Sequence, residues 1–284
     1  MKKCFLFLCS LLALVCSFSF QAATPTAGQL VNEMLQAGKD VQTLKFTLQK
    51  QERIAGKLIS EKASVKLQQK PFKVYLKYQS PNPGMEVLFV SGQNNNEAFI
   101  RPSSFPWTTI NLNPNSNTMR SGQHHTIHEM GFSQILAITD YMLKKYGKQS
   151  GNMLKTGEPI NWNGLNCYQL TLENPNFSYV EHTVGPNENV LNIAAKFRIS
   201  EYMILEKNPG LDDYTDIKAG QKIKIPTDYA KKIWMLLDKK NGLPVVIKVY
   251  DEKGLFEQYE YHNLQVNPAI QVSEFTKTYK DYKF

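Results

Sequence analysis

The chain has 284 residues, with 33 Lys or Arg against 25 Asp or Glu and a formal charge of +8 at neutral pH. This mild basicity suits anionic wall polymers or lipid head groups; with no Arg-rich stripe and no nucleic-acid motif, it argues against a nucleic-acid binder. Cys4, Cys9 and Cys16 lie in the first stretch, so Cys167 is alone in the rest and no internal disulfide is expected there.

The N-terminus reads as a secretory signal peptide over residues 1–23, with Lys2 and Lys3 ahead of an uncharged run, Cys4 to Phe20. Cleavage near Ser19 to Ala23 removes both lysines and takes the charge from +8 to +6. Val15 precedes Cys16 where a lipobox needs Gly, Ala or Ser, which argues against lipidation. No second apolar run follows, so no transmembrane anchor is expected after cleavage. Ala27 to Val41 has helical spacing that buries Leu30, Met34 and Leu35. Period-two strands follow at Leu44, Phe46, Leu48 and at Phe72, Val74, Leu76, Tyr78. Pro81-Asn82-Pro83-Gly84 is a turn into Met85 to Val90. Gly131 to Lys145 is helical in spacing, and Asn163-Gly164 marks a tight hairpin. Ile233 to Leu237, Val245 to Tyr250 and Leu255 to Tyr261 are further strands, with turns at Asn241-Gly242 and Glu252-Lys253-Gly254. Consecutive strands on short turns predict an α+β domain, with an antiparallel sheet covered by helices on one face.

Residues 179–226 have their own character. Tyr179-Val180-Glu181-His182-Thr183-Val184 leads through Gly185-Pro186-Asn187-Glu188-Asn189-Val190 to Leu191 and Phe197. Asn208-Pro209 follows, and the stretch closes on Ala219-Gly220-Gln221-Lys222-Ile223-Lys224-Ile225-Pro226. It resembles a LysM module, a small βααβ domain that binds N-acetylglucosamine-containing glycans such as peptidoglycan. The resemblance implies a shallow glycan groove walled by Gly185, Pro186, Asn187, Glu188, Asn189 and Val190 on one side. Asn208, Pro209, Gly210 and Leu211 form the other. Where the family has Gly-Asp-Thr-Leu, this chain has Asn187-Glu188-Asn189-Val190. Asn tolerates the left-handed conformation, and Asn189 can cap the helix as Thr would. The competing reading is a module that keeps the fold without the sugar.

The remainder, 24–175 and 227–284, would then be one discontinuous domain with the module inserted at a hairpin tip. Asn174-Pro175-Asn176 and Pro226-Thr227-Asp228 are its expected hinges. Val74-Tyr75-Leu76-Lys77, Pro83-Gly84-Met85-Glu86-Val87, and Asp238 to Pro244 leading to Tyr250-Asp251 resemble the LolA/LppX-type periplasmic lipid carriers, and more nearly a bacterial family of unknown function within that group. Gln51-Glu52-Arg53 and the Gly122 to Gly131 segment belong to the same pattern. The resemblance implies a LolA-like half-barrel whose concave face, lidded by helices, holds a lipid, lipoprotein or other amphiphile. The two resemblances together imply an address in the periplasm, with the LysM-like stretch implying association with the cell wall.

Catalytic and metal chemistry finds less support. His124, His125, His128 and Glu129 stand out: His124 and His128 would share a helix face, and His with a carboxylate suits zinc. The segment lies between Ser121-Gly122 and Gly131, however, and lacks a His-Glu-x-x-His, so it reads as a structural loop at the cavity mouth. Cys167 sits in a strand pattern and reads as a small buried hydrophobe rather than a nucleophile. Phe72, Val74, Leu76, Phe89, Phe99, Trp234, Val245, Ile247 and Val249 could line a cavity or fill a core, since both need the same alternation. The expectation is a non-enzyme without cofactor or metal, binding glycan and an amphiphile. The alternatives are a protein-interaction scaffold, or a wall hydrolase using His124, His128 and Glu129.

Overall fold

Thr26 opens the first helix. Its side chain accepts from Gln29 N while Gln29 returns a bond to the Thr26 backbone, a capping box that satisfies the free N–H groups of the first turn. The structure, a computed structural model, describes residues 24–105 and 107–284; the expected leader, 1–23, lies outside the described residues. Helix α1 (Ala27–Lys39) buries Leu30, Val31 and Met34, leaves the expected Leu35 half-buried, and is followed by a buried Val41. The chain then forms β1 (Thr43–Ile54), β2 (Lys57–Gln68), β3 (Lys73–Ser80), β4 (Glu86–Val90), β5 (Ala98–Arg101) and β6 (Ile110–Leu112). Short α2 (Asn117–Arg120), α3 (Ser133–Tyr146) and short α4 (Ser150–Met153) precede β7 (Leu154–Trp162) and β8 (Leu165–Glu173). The hairpin between those two strands turns on Asn163 and Gly164, both at positive φ (49° and 83°), as a two-residue type I′ turn requires.

After β8 come β9 (Tyr179–Thr183), α5 (Val190–Phe197), α6 (Glu201–Lys207) and β10 (Lys222–Pro226). The chain closes with β11 (Lys232–Asp238), β12 (Pro244–Asp251) and β13 (Gly254–Val266). Eleven strands form one antiparallel sheet in the order β6-β5-β4-β3-β2-β1-β13-β12-β11-β8-β7. Helices α1 and α3 cover one face, where Met34, Ile135, Ile138 and Met142 pack against Leu44, Leu48, Val65, Leu76 and Ile247. The helices approach closely at Gly38, where an added Cβ would lie 2.0 Å from Leu136 Cδ1. Strand β4 breaks the expected alternation because both its faces are covered. Val87 and Phe89 face the helices, while Leu88 and Val90 lie under the C-terminal segment with Phe275.

Strands β9 and β10 form a separate two-stranded sheet, and with α5 and α6 they enclose their own core of Val184, Val190, Ile193, Ile204, Ile223 and Ile225. The flanking strands β8 and β11 pair directly with one another. The expected hinges are not loose. Buried Asn174 donates to Asp228 Oδ2 at 2.9 Å, Tyr146 Oη and Lys145 Nζ also reach Asp228, and Ser178 and Thr227 exchange backbone and side-chain bonds. Helix α6 is also clamped to the larger body. Arg53 holds Glu206 through two nitrogens (3.2 and 3.0 Å) and pairs with Asp251, Tyr202 Oη accepts from Ala55 N at 2.8 Å, and Met203 joins the main core. Helix α6 thus packs on two sides, with Ile204 in the core of the 179–226 unit and Met203 in the main core.

Candidate functional site

A cavity of about 80 Å³ lies between the helix-covered face of β1, β2, β3 and β13 and the segment 123–138. Its lining is divided. Leu48, Ala63, Leu76, Ile135, Ile138 and Ile247 make one part apolar, while Lys50, Glu52, Glu61, His125, Glu129, Tyr229, Glu257 and Tyr259 make the other polar. The segment that closes the polar part is built from turns. Gly122 and Gly131 both sit at positive φ (74° and 93°), and between them Thr126 and Glu129 form a capping box around Ile127–Glu129. Tyr261 Oη donates to the Gly131 carbonyl at 3.0 Å and fixes the segment to β13.

The polar part centres on two carboxylates. Glu52 on β1 and Glu257 on β13 are direct partners across the ladder and are 2% and 1% exposed. Tyr259 Oη donates to Glu52 Oε1 and Tyr229 Oη donates to Glu257 Oε1, each at 2.6 Å. His124 is 1% exposed and stacks between Phe256 (4.0 Å between centroids) and Tyr202 of α6 (4.6 Å). Its backbone N donates to Glu52 Oε2 at 3.2 Å, its Nδ1 lies 2.9 Å from Glu257 Oε2, and its Nε2 lies 3.0 Å from the Arg53 carbonyl. His125 Nε2 lies 3.1 Å from Glu257 Oε2 and 3.0 Å from Tyr229 Oη. Lys50 Nζ lies 3.1 Å from Glu52 Oε2 and 3.0 Å from Glu61 Oε2.

The electrostatics follow from burial set against charge. Burial pushes the Glu257 carboxyl up, but His125 and His124 outweigh it and hold the group below the usual carboxylate range. Burial likewise raises Glu52, while Lys50, the two histidines and the Tyr259 hydroxyl bring it down. For His125 burial favours the neutral ring, yet Glu257 and Glu129 more than reverse this and raise it well above an ordinary histidine. One oxygen of Glu52, one nitrogen of His124 and one oxygen of Glu257 lie within 4.8 Å of one another, donor types that hold first-row metal ions.

The structure redistributes the residues singled out in the sequence. His128 turns away from the cluster to rest edge-on against Phe89 at 4.7 Å, so His124, His128 and Glu129 do not form one catalytic site. Cys167 is fully buried, its thiol pushed up by burial to about 11, an inert packing residue. Of the apolar strand residues offered as cavity lining, only Leu76 and Ile247 line it. Val74, Phe89 and Val249 fill the core beneath the helices, Trp234 and Val245 pack with Cys167, and Phe99 lies under the C-terminal segment.

In the 179–226 unit, Asn187 takes the left-handed conformation (φ 60°) and Asn189 caps α5 in a reciprocal box with Asn192. Glu188 accepts from Gly185 N at 2.9 Å and pairs with His182 and Lys196. Asn208, Pro209, Gly210 and Leu211 line a depression of about 360 Å³ with Lys207 and the start of β10, and none of residues 185–190 lines it. The first loop instead meets the second at Val190 N, which donates to the Tyr214 carbonyl at 3.0 Å.

The profile of the family DUF1571, described as a protein of unknown function, matches residues 41–178 and 204–284. The chain belongs to the DUF1571 family. Residues 179–203, which hold β9, α5 and the first residues of α6, fall outside the match. No curated protein matches. Among solved structures, the Pseudomonas aeruginosa MucA/MucB complex is similar at 12% identity and a TM-score of 0.42, over 88% of this chain and 60% of that one. This chain thus spans about 60% of the length of that relative. The Mycobacterium tuberculosis lipoprotein LppX is similar at 11% identity and a TM-score of 0.38, over 85% of this chain and 95% of that one. A LolA superfamily protein from Nitrosomonas europaea is similar at 10% identity and a TM-score of 0.31, over 90% of this chain and all (100%) of that one. Among the described residues no helix is long and apolar enough to cross a membrane.

Sequence reasoning named His124, His125 and Glu129 but missed Glu52, Glu257, Tyr229 and Tyr259 as partners. Glu52 was visible only within Gln51-Glu52-Arg53, and Glu257 and Tyr259 only as members of a strand.

Proposed function

We propose that this chain is an exported, non-enzymatic protein of the cell envelope. In this reading the larger body takes the polar head of an amphiphile in its cavity, and the 179–226 unit acts as a LysM-like holder of N-acetylglucosamine-containing glycan such as peptidoglycan in the periplasm. The divided lining of the cavity carries the reading, because an amphiphile needs charged or hydrogen-bonding groups at one end and apolar walls at the other. The strand–helix–helix–strand order of the 179–226 unit supports the glycan half, with Gly185 to Val190 and Asn208 to Leu211 as the candidate contact loops.

A second reading has its own observation. The cavity of about 80 Å³ is smaller than the roughly 300 Å³ at which small-molecule pockets begin, too small for an acyl chain as it stands. A solid body of this kind suits a protein-interaction scaffold. The deciding experiment joins organic extraction and mass spectrometry of purified protein with co-sedimentation on peptidoglycan sacculi. The co-sedimentation is run beside a version in which residues 179–226 are replaced by a short Gly/Ser link. A stoichiometric extracted lipid, with pelleting of the intact protein only, is the expected result. An empty extract leaves the scaffold reading in place of the amphiphile, and equal behaviour of the two versions on sacculi removes the glycan role.

A further inference from the structure

We propose that Glu52, His124 and Glu257 form a binding site for one divalent first-row metal ion, with zinc the best match, at the polar end of the cavity. The site stands independently of any amphiphile. The pairing of β1 and β13 sets Glu52 directly opposite Glu257 on one buried face. Like charges in such a pair repel, and burial withdraws the water that would screen them.

The decisive geometry is at His124. Its Nε2 faces the Arg53 carbonyl at 3.0 Å, and a carbonyl oxygen can only accept, so Nε2 carries a hydrogen. In a neutral ring, Nδ1 then presents a lone pair to Glu257 Oε2 at 2.9 Å. Two lone pairs at that distance need a positive centre between them, either a proton or a metal ion. A distal N–H held by a backbone carbonyl is the outer-shell contact that orients metal-ligating histidines. Lys50 and His125 offset carboxylate charge, yet neither serves the His124 lone pair.

The carboxylates are oriented to match. Tyr259 and Tyr229 pin Oε1 of Glu52 and of Glu257, and Oε2 of each lies on the side of His124, where Lys50 also reaches Glu52 Oε2 and where His125 and Tyr259 also reach Glu257 Oε2. The three donor atoms fall within 4.8 Å of one another, a span that an ion bonding at about 2.0–2.2 Å closes with small side-chain shifts. Lys50 and His125 are shared with two further carboxylates, Glu61 and Glu129, so the four acids keep negative charge for the ion; one nitrogen with two oxygens is a donor set of borderline hardness. Both glutamates also line the cavity, so a fourth position is open to water or to an anionic ligand group.

The test uses the tag-free full mature chain, stripped with chelator and titrated with Zn²⁺ by calorimetry and with Co²⁺ by visible absorption. The expected result is one equivalent bound, with Co²⁺ bands of low-symmetry four- or five-coordination. Glu52→Gln and Glu257→Gln, checked for folding by circular dichroism, lose more affinity than the 10–100-fold typical of an outer-shell loss. Tyr229→Phe falls within that range, and His128→Ala binds as the parent does. A folded, stripped parent that takes up neither ion overturns the proposal and leaves a proton between His124 and Glu257. Undiminished binding in both glutamine variants overturns it equally.

Discussion

Single residues in this chain carry more than their local patterns announce. Glu188 occupies the Gly185 to Val190 loop, where it accepts from Gly185 N and pairs with His182 and Lys196. These partners hold its carboxyl down from 4.5 to about 2, the Gly185 N–H contributing most. A depressed carboxylate stabilises the folded form fully above its unfolded value and loses that contribution as pH falls through its folded value. The loop should therefore weaken between about pH 4.5 and 2. The amide resonance of Gly185, followed by NMR, should titrate with a midpoint near 2 in the parent and show no such transition in Glu188→Gln. A midpoint at an ordinary carboxylate value in the parent would remove the loop from the account.

At the scale of elements, α6 joins two bodies because its residues serve both. Ile204 belongs to the core of the 179–226 unit, Met203 to that of the sheet, and Tyr202 stacks on His124 while its hydroxyl accepts from Ala55 N. Tyr202→Ala should destabilise the protein by about 2 kcal/mol, less than truncating a fully buried aromatic because Tyr202 is half-buried. Tyr202→Phe removes only the hydrogen bond and should cost about 1 kcal/mol. Urea unfolding measures both, and hydrogen exchange at the Ala55 amide should speed up in each. Unchanged exchange would mean that α6 does not hold the turn after β1.

For the whole molecule, the question is whether the larger body folds without the inserted unit. Ser178 and Thr227 are bonded to one another, and β8 already pairs with β11, so a short Gly/Ser link in place of residues 179–226 closes without strain. The shortened chain should keep its eleven-stranded sheet and unfold cooperatively. It should melt lower, by roughly 2–4 °C for each kcal/mol lost with the α6 contacts. Calorimetry distinguishes this from the contrary case, a chain with no cooperative transition, in which α6 would be part of the body's indispensable core.

Much of the architecture was legible along the chain. The alternation at Leu44, Phe46 and Leu48, the capped start of α1, the α3 stripe and the Asn163-Gly164 turn are set by backbone geometry among near neighbours, and such patterns survive in any tertiary setting. The order βααβ over residues 179–226 was legible for the same reason. The polar cluster was not. Glu52, His124, Tyr229 and Glu257 come from four distant segments; Glu52 is in phase with Leu44, Phe46 and Leu48, and Glu257 with Tyr259 and Tyr261, so alternation puts both on the covered face, but nothing local says that they meet. Only the β1–β13 register sets the two carboxylates face to face, and only the 123–130 segment and α6, closing over them, withdraw them from water. Local spacing set α1, α3, the strands with clean alternation and the tight turns, while strands such as β2, β5 and β6 went unread. The tertiary structure alone decided that the buried charges meet, because register and closure arise from contacts between residues that no local spacing relates.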